Sequence, residues 1–216
     1  MKVAPSILAA DFTKLPEEIK KTEEAGADFL HLDIMDGVFV PNITFGPKIV
    51  ETINRITAIP LDAHLMIVEP ERYIDRFIEA GADWISFHAE ATKNTNNCIK
   101  MIKSGSCKAG LAISPPTSWQ EIEQYIAIID FILIMTVNPG FCGQAFMPEV
   151  IPKIEEVHRH IDKNKLSCMI EVDGGVSPKN AGLLCNAGVN IVVAGASVYK
   201  SCDYNAAIKA MKCLKD

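Results

Sequence analysis

The chain has 216 residues, 49% of them apolar and 22% charged, which excludes a disordered polymer and leaves apolar material for one sizeable core. Lys and Arg number 21 against 27 Asp and Glu, a net charge of −6 with no basic stripe, so nucleic acid is not an expected partner. Neither is a membrane, since no apolar run approaches the roughly 18 residues that span a bilayer.

Read along the chain, short β-rich apolar runs alternate with longer amphipathic ones. The expected strands are 3–8, 29–35, 61–66, 84–88, 108–114, 131–137, 167–173 and 191–195. The expected helices between and after them are 14–25, 47–55, 69–80, 95–104, 119–126, 148–161, 178–186 and 204–214. Eight strand–helix pairs are the arithmetic of an α/β fold of one domain over residues 1–216, a closed parallel (β/α)8 TIM barrel with outer helices. An open doubly wound sheet is the alternative. An internal echo favours the barrel. Gly26, Gly81 and Gly188 each follow a helix and precede a strand, 55 and 107 residues apart, close to two and four units of about 27.

The seven cysteines (Cys98, Cys107, Cys142, Cys168, Cys185, Cys202 and Cys213) form no Cys-x-x-Cys pair. They argue against a zinc ribbon or disulfide scaffold and for free thiols in a reducing compartment. The apolar stretch at 3–10 is broken by Pro5 and too weakly basic for a signal peptide, so it reads as a buried strand. A cytoplasmic location is expected.

Strand alternation sorts inward from outward residues. In the second strand Leu30, Leu32 and Ile34 share one face and His31, Asp33 and Met35 the other. In the third, Asp62, His64 and Met66 oppose the aliphatic face; in the seventh, Met169, Glu171 and Asp173 do so. Outer helices must cover the aliphatic face, so the polar set points into the barrel. His31, Asp33, His64 and Asp173 could therefore converge. No Lys or Arg lies on these strands to offset two buried carboxylates, and a divalent cation resolves the conflict. Two imidazoles and two carboxylates suit zinc, iron(II), manganese or cobalt. His88 has the same parity and could line the mouth or support a ligand from behind, and is left unassigned, whereas His158 and His160 are expected to be solvated.

Three glycine-bearing segments follow consecutive strands. They are Asn138-Pro139-Gly140-Phe141-Cys142-Gly143-Gln144, Asp173-Gly174-Gly175-Val176-Ser177 and Gly195-Ala196-Ser197. Backbone N–H groups in such loops can hold a phosphate despite an overall negative charge. Met35, Met66 and Met135 close the same end of three strands as an apolar collar, or as adaptable core filler.

Five segments together resemble the ribulose-phosphate 3-epimerase family: Ala4-Pro5-Ser6-Ile7-Leu8, His31 to Gly37, His64-Leu65-Met66, Met135 to Phe141, and Glu171 to Gly175. The resemblance runs from Ala4 to Tyr199. It implies a metal-dependent (β/α)8 isomerase of the pentose phosphate pathway that interconverts D-ribulose 5-phosphate and D-xylulose 5-phosphate, often as a homo-oligomer. By position it implies His31, Asp33, His64 and Asp173 as metal ligands. Asp33 and Asp173 are then the acid/base pair, with Asp33 the proton acceptor and Asp173 the donor in the forward sense. Ser6 and His64 resemble sugar contacts. Gly140, Phe141, Cys142 and Gly143, Asp173 with Gly174 and Gly175, and Gly195 with Ala196 resemble the loops that hold substrate and phosphate. Two positions depart from the family pattern. Cys142 replaces the third residue of Gly-Phe-Gly-Gly, and Ala196 fills a Ser place with Ser197 following. Both departures keep the backbone N–H.

The chemistry also fits the residues themselves. Inverting C3 beside a C2 ketone, through a cis-enediolate, needs a base on one face and an acid on the other, which two carboxylates supply. A decarboxylase of similar architecture would show Asp-x-Lys-x-x-Asp, whereas here the segment is Asp33-Ile34-Met35-Asp36. Epimerisation of the six-carbon allulose 6-phosphate, and a non-catalytic sugar-phosphate-binding barrel, remain as alternatives. Ile122, Tyr125, Ile126, Ile128 and Ile129 could pack between subunits or within the barrel.

Overall fold

Apolar runs with both faces occupied become the staves of a closed ring. The computed structural model describes residues 1–212, so the expected helix end at 213–214 and Cys213 lie outside the described residues. The eight strands are β1 (Lys2–Pro5), β2 (Leu30–Met35), β3 (Leu61–Met66), β4 (Trp84–His88), β5 (Lys108–Ile113), β6 (Phe131–Met135), β7 (Met169–Asp173) and β8 (Ile191–Ala194). All pair in parallel, each of β2 to β8 with its sequence neighbour in that run, and β8 pairs with β1. A parallel bridge between Ser6 and His31, with the Asp28 N–H donating to the Val3 carbonyl at 2.9 Å, closes the ring between β1 and β2. The expected (β/α)8 barrel is the fold.

The helices are α1 (Leu15–Glu24), α2 (Pro47–Asn54), α3 (Ile74–Glu79), α4 (Thr95–Ser104), α5 (Ile151–Asn164), α6 (Ala181–Asn186), α7 (Ala196–Tyr199) and α8 (Tyr204–Met211). Prolines at the first turn of α1, α2 and α5 start helices where no N–H bond is lost. The echoed Gly26, Gly81 and Gly188 all have positive φ, as a helix-ending left-handed turn requires. An added Cβ at Gly188 would also meet the His158 ring at 2.3 Å.

Three expected elements differ and one helix is additional. The first strand stops at Pro5, because Ile7–Ala9 turns into a 3₁₀ segment. The stretch expected as helix 119–126 is 3₁₀ over Trp119–Tyr125, entered through a capping box of Ser118 and Glu121. Residues 69–80 divide into a 3₁₀ turn at Pro70–Arg72 and α3. The short α7 after β8 was not expected. Ile122, Ile126 and Ile129 are buried within their own chain, whereas Ile128 is exposed. His158 and His160 are half-buried rather than solvated, His160 against the Trp119 ring. Cys98, Cys107, Cys142, Cys168 and Cys202 are free, but Cys185 is disulfide-bonded. Disulfide formation needs tertiary proximity that sequence spacing does not reveal.

Leu30, Leu32, Ile34, Leu61, Ala63, Leu65, Ile170 and Val172 join the core shared with the helices. Inside the ring, Ala4, Phe29, Ile191 and Val193 pack with Trp84 and Met169 as an apolar plug at the strand starts. Polar side chains occupy the interior beyond it, towards the strand ends.

Candidate active site

In β2 and β3, register alone places imidazoles beside carboxylates: His31 pairs with Asp62, and Asp33 with His64. On β7, Asp173 pairs with Met135 of β6. Ligand atoms of His31, Asp33, His64 and Asp173 all lie within 4.8 Å of one another, so the four residues singled out in the sequence do meet. Asp33 Oδ1 is 3.5 Å from His31 Nε2 and 3.4 Å from His64 Nδ1, and Asp173 Oδ2 is 3.9 Å from His64 Nδ1.

These are close approaches without hydrogen bonds. His31 Nε2 and His64 Nδ1 are buried and have no hydrogen-bond partner. His31 Nδ1 lies 2.6 Å from Asp62 Oδ2, and a carboxylate only accepts, so Nδ1 keeps its N–H and the proton that leaves when the ring is neutral is the one on Nε2, whose lone pair then faces Asp33. Orphaned imidazole nitrogens beside two carboxylates form a donor set for a cation. The cluster could hold a metal ion, and its mixture of nitrogen and oxygen atoms fits a divalent one.

The two carboxylates are not equivalent. Burial raises the pKa of Asp33, but His31 and His64 outweigh it and hold Asp33 well below the usual carboxylate range. Ser6 Oγ adds a hydrogen bond to Asp33 Oδ2 at 2.5 Å. Burial and the charge on Asp33 push Asp173 up to about 7. Burial lowers His64 to about 4, keeping it neutral at physiological pH. For His31, burial is overcome by Asp62 and Asp33, which hold its pKa well above the usual imidazole value.

A cavity of about 240 Å³ opens over this cluster. Ser6, Asp33 and Asp173 line it, together with Met35, Met66 and Met135 as an apolar collar. His31 and His64 are fully buried behind Asp33. The three glycine loops form the other side: Gly140, Phe141, Cys142 and Gly143, then Gly174 and Gly175, then Gly195 and Ala196 all line the cavity. The first loop is held by Asn42 Nδ2 donating to the Gly140 carbonyl and by Gln144 Nε2 donating to the Asn138 and Phe141 carbonyls. Gly174 and Gly175 have φ of +121° and +64°, and a Cβ on Gly175 would lie 2.3 Å from the Phe146 backbone nitrogen. Phe141 projects at the rim, 56% exposed. Ser197 Oγ donates to the Val176 carbonyl at 2.7 Å, tying the last two loops together.

Three features escaped the sequence reading. Asp62 and Glu171 share the inward parity of their strands, and with His31 they form a second buried cluster. Burial and the Asp62 charge push the Glu171 carboxyl well above its usual range. Ser86, also fully buried, is the β3–β4 register partner of His64. Only parity could have found this group, and parity does not reveal partners. The third is the set of partners of His88, a residue already placed at the mouth or behind the ligands: its Nε2 lies 3.0 Å from His64 Nε2 and its Nδ1 lies 3.1 Å from Glu90 Oε2. Burial disfavours the charge on Glu90, but His88, Thr117 and the Ser114 N–H bring its pKa down to about 2. No helix among the described residues is long and apolar enough to cross a membrane.

Comparison with known proteins identifies a family. Residues 2–199 match the model of the ribulose-phosphate 3 epimerase family. A ribulose-phosphate 3-epimerase of Bacillus subtilis is 52% identical, over 98% of this chain and 98% of that protein. One of Escherichia coli K12 is 42% identical, over 97% and 94%. A chloroplastic ribulose-5-phosphate-3-epimerase of Arabidopsis thaliana is 46% identical, over 99% of this chain and 76% of that protein. Among solved structures, a 3-hexulose-6-phosphate synthase from Salmonella typhimurium superposes with a TM-score of 0.72 at 13% identity, covering 98% of this chain and 96% of that one, a likeness of fold alone. On the family match and the full-length similarity of its relatives, the chain belongs to the ribulose-phosphate 3 epimerase family.

Proposed function

We propose that this protein interconverts D-ribulose 5-phosphate and D-xylulose 5-phosphate by exchanging the proton at C3. The observation that carries this reading is the pair Asp33 and Asp173, which line one cavity from strands three places apart around the ring. One is held ionised and the other has a pKa near 7. Two titratable groups whose environments push their pKa values apart are an acid and a base in waiting. Asp33 takes the C3 proton from ribulose 5-phosphate, assisted by the Ser6 hydroxyl that fixes its carboxylate. Asp173 delivers a proton to the opposite face, and the roles exchange in reverse. Met35, Met66 and Met135 exclude water from the planar enediolate between these steps.

His31, Asp33, His64 and Asp173 would hold one divalent cation: zinc, iron(II), manganese or cobalt. When bound, such an ion supplies Lewis-acid polarisation of the C2 carbonyl and charge stabilisation of the enediolate. The loops at Gly140–Gly143, Gly174–Gly175 and Gly195–Ala196 hold the phosphate by backbone N–H groups. That grip positions C3 between the two carboxylates.

The test is turnover and solvent-deuterium wash-in at C3 with ribulose 5-phosphate and each of the four metals. The reading expects inversion accompanied by deuterium incorporation. Faster turnover of allulose 6-phosphate would move the substrate to six carbons. Binding without exchange would make the barrel a sugar-phosphate receptor.

A further inference from the structure

His88 is fully buried at the end of β4, with the His64 ring stacked beside it at 5.0 Å and the Phe39 ring at 4.7 Å. Its two nitrogens have one partner each: Nε2 faces His64 Nε2 at 3.0 Å, and Nδ1 faces Glu90 Oε2 at 3.1 Å. The far oxygen of Glu90 is already engaged. Oε1 accepts from the Ser114 backbone N–H at 2.8 Å and from Thr117 Oγ1 at 2.5 Å.

Proton positions follow along this chain from the fixed end. The Ser114 N–H can only donate, so Glu90 Oε1 must accept, and an ionised Oε2 can only accept from His88 Nδ1. A neutral imidazole carries one N–H. With its proton on Nδ1, His88 offers a lone pair at Nε2. His64 must then carry its proton on Nε2, which leaves the lone pair of His64 Nδ1 aimed at Asp33 and Asp173. His31 receives the same instruction directly from Asp62, whereas His64 receives it through an intervening ring.

We propose that Glu90, acting through His88, selects the tautomer of His64 that can ligate a cation, making Glu90 and His88 positioning residues for the metal centre. The inference rests on reading His64 as a metal ligand. Its sharpest consequence is a reversal. In Glu90→Gln, the amide oxygen stays on Ser114 and Thr117, and the amide NH₂ takes the place opposite His88 Nδ1. His88 must then accept there and donate from Nε2, His64 Nε2 must accept, and a proton lands on His64 Nδ1 where the cation belongs. Glu90→Ala removes the instruction without reversing it. Glu90→Gln is therefore the more damaging change, although it conserves size. A merely structural Glu90 gives the opposite ranking.

The experiment is zinc titration of the metal-free full-length protein against a chromogenic chelator, with long-range ¹H–¹⁵N NMR of the histidine rings at pH 8. Wild type is expected to bind one zinc and to show His64 protonated at Nε2. Zinc binding should weaken on the order of 100-fold in Glu90→Gln and about 10-fold in Glu90→Ala, the range known for partners of metal ligands. The His64 proton should move to Nδ1 in Glu90→Gln. If wild type takes up no zinc, or His64→Ala binds it as well as wild type, the ligand reading falls and the relay with it. If His64→Ala loses zinc but Glu90→Gln binds as wild type or more tightly than Glu90→Ala, only the relay is overturned. An Nδ1–H on His64 in wild type overturns it without any variant.

Discussion

The two sides of the cavity are made from different materials. On one side His31, Asp33, His64 and Asp173 stand on strands, where parallel register fixes which side chains are neighbours. On the other side, loops after β6, β7 and β8 present main chain, and glycines at four positions with positive φ turn it towards the cavity. A proton transfer needs a particular functional group at a particular place, which only a side chain supplies. A phosphate needs several N–H dipoles, which any residue supplies once the backbone is correctly bent. The strand side should therefore be intolerant of changed chemistry, and the loop side intolerant of added bulk.

The largest expected effect is on the strand side. Asp33→Asn and Asp173→Asn keep shape and remove the proton-transfer group, so each should lower turnover by on the order of 10³-fold or more, with an unchanged circular dichroism spectrum. Deuterium wash-in at saturating metal separates their roles. Starting from ribulose 5-phosphate, Asp173→Asn should still exchange C3 with solvent through Asp33 while failing to invert it. Asp33→Asn should do neither. Exchange surviving in Asp33→Asn and lost in Asp173→Asn would falsify the assigned direction.

Gly175→Ala tests the loop side. Its φ of +64° disfavours a side chain, and the new Cβ would sit 2.3 Å from backbone rather than from a movable side chain. The cost should be about 2–3 kcal/mol, divided between lower thermal stability and a raised KM for the sugar phosphate. Turnover at saturating substrate should suffer far less than in the aspartate variants. If kcat fell as far as KM rose, the division of labour between the two sides would be wrong.

The same division decides what was legible in the sequence. His31, Asp33, His64 and Asp173 could be placed because strand parity is a period-two rule, and all four share the inward face. The loops could be located from their glycines, and the family resemblance added roles to both. Proton relays could not be read. His88 carries the correct parity, but nothing in the sequence says that its ring reaches His64 on the neighbouring strand or that Glu90 reaches Ser114 and Thr117 beyond β5. The 3₁₀ segment at Trp119–Tyr125 was equally hidden, since a turn of 3₁₀ and a turn of α-helix present similar apolar spacing.

A third expected effect comes from the electrostatic load on the strand side. Asp173 has its folded pKa raised from 3.8 to about 7, so the folded state holds a proton that the unfolded state has lost. That contribution is complete below about pH 4 and is lost as pH rises towards 7. His31 acts in the same direction, because its raised folded pKa favours folding below the ordinary imidazole value and ceases to do so as pH climbs through the folded one. Metal-free protein should therefore be less resistant to urea at pH 8 than at pH 6, by about 1–2 kcal/mol. Saturating zinc should reverse the trend, because deprotonated ligands bind it best. Equal urea midpoints at the two pH values would mean that the carboxylates are relieved in some other way.

The smallest effect should come from the departures on the loop side, where side-chain identity matters least. The Cys142 thiol lies near the Ala196 backbone N–H, and partial burial and the Asp33 charge push it above its usual pKa. Cys142 Sγ also lies 3.7 Å from where a Cβ on Gly195 would stand. The thiol thus crowds an N–H that an anion could use, and sulfur is a weak acceptor that a phosphate oxygen easily displaces. Cys142→Gly should release that N–H and lower KM for the sugar phosphate about twofold, at the scale of one weak hydrogen bond. The kcat should not change, because the proposed reaction places C3 against Asp33 and Asp173. Ala196→Ser should do even less, since the neighbouring Ser197 hydroxyl already supplies the tie to Val176. A change of tenfold or more in kcat for either variant would show that side chains of these loops reach the reacting carbon, and the contrast between the two sides of the cavity would be lost.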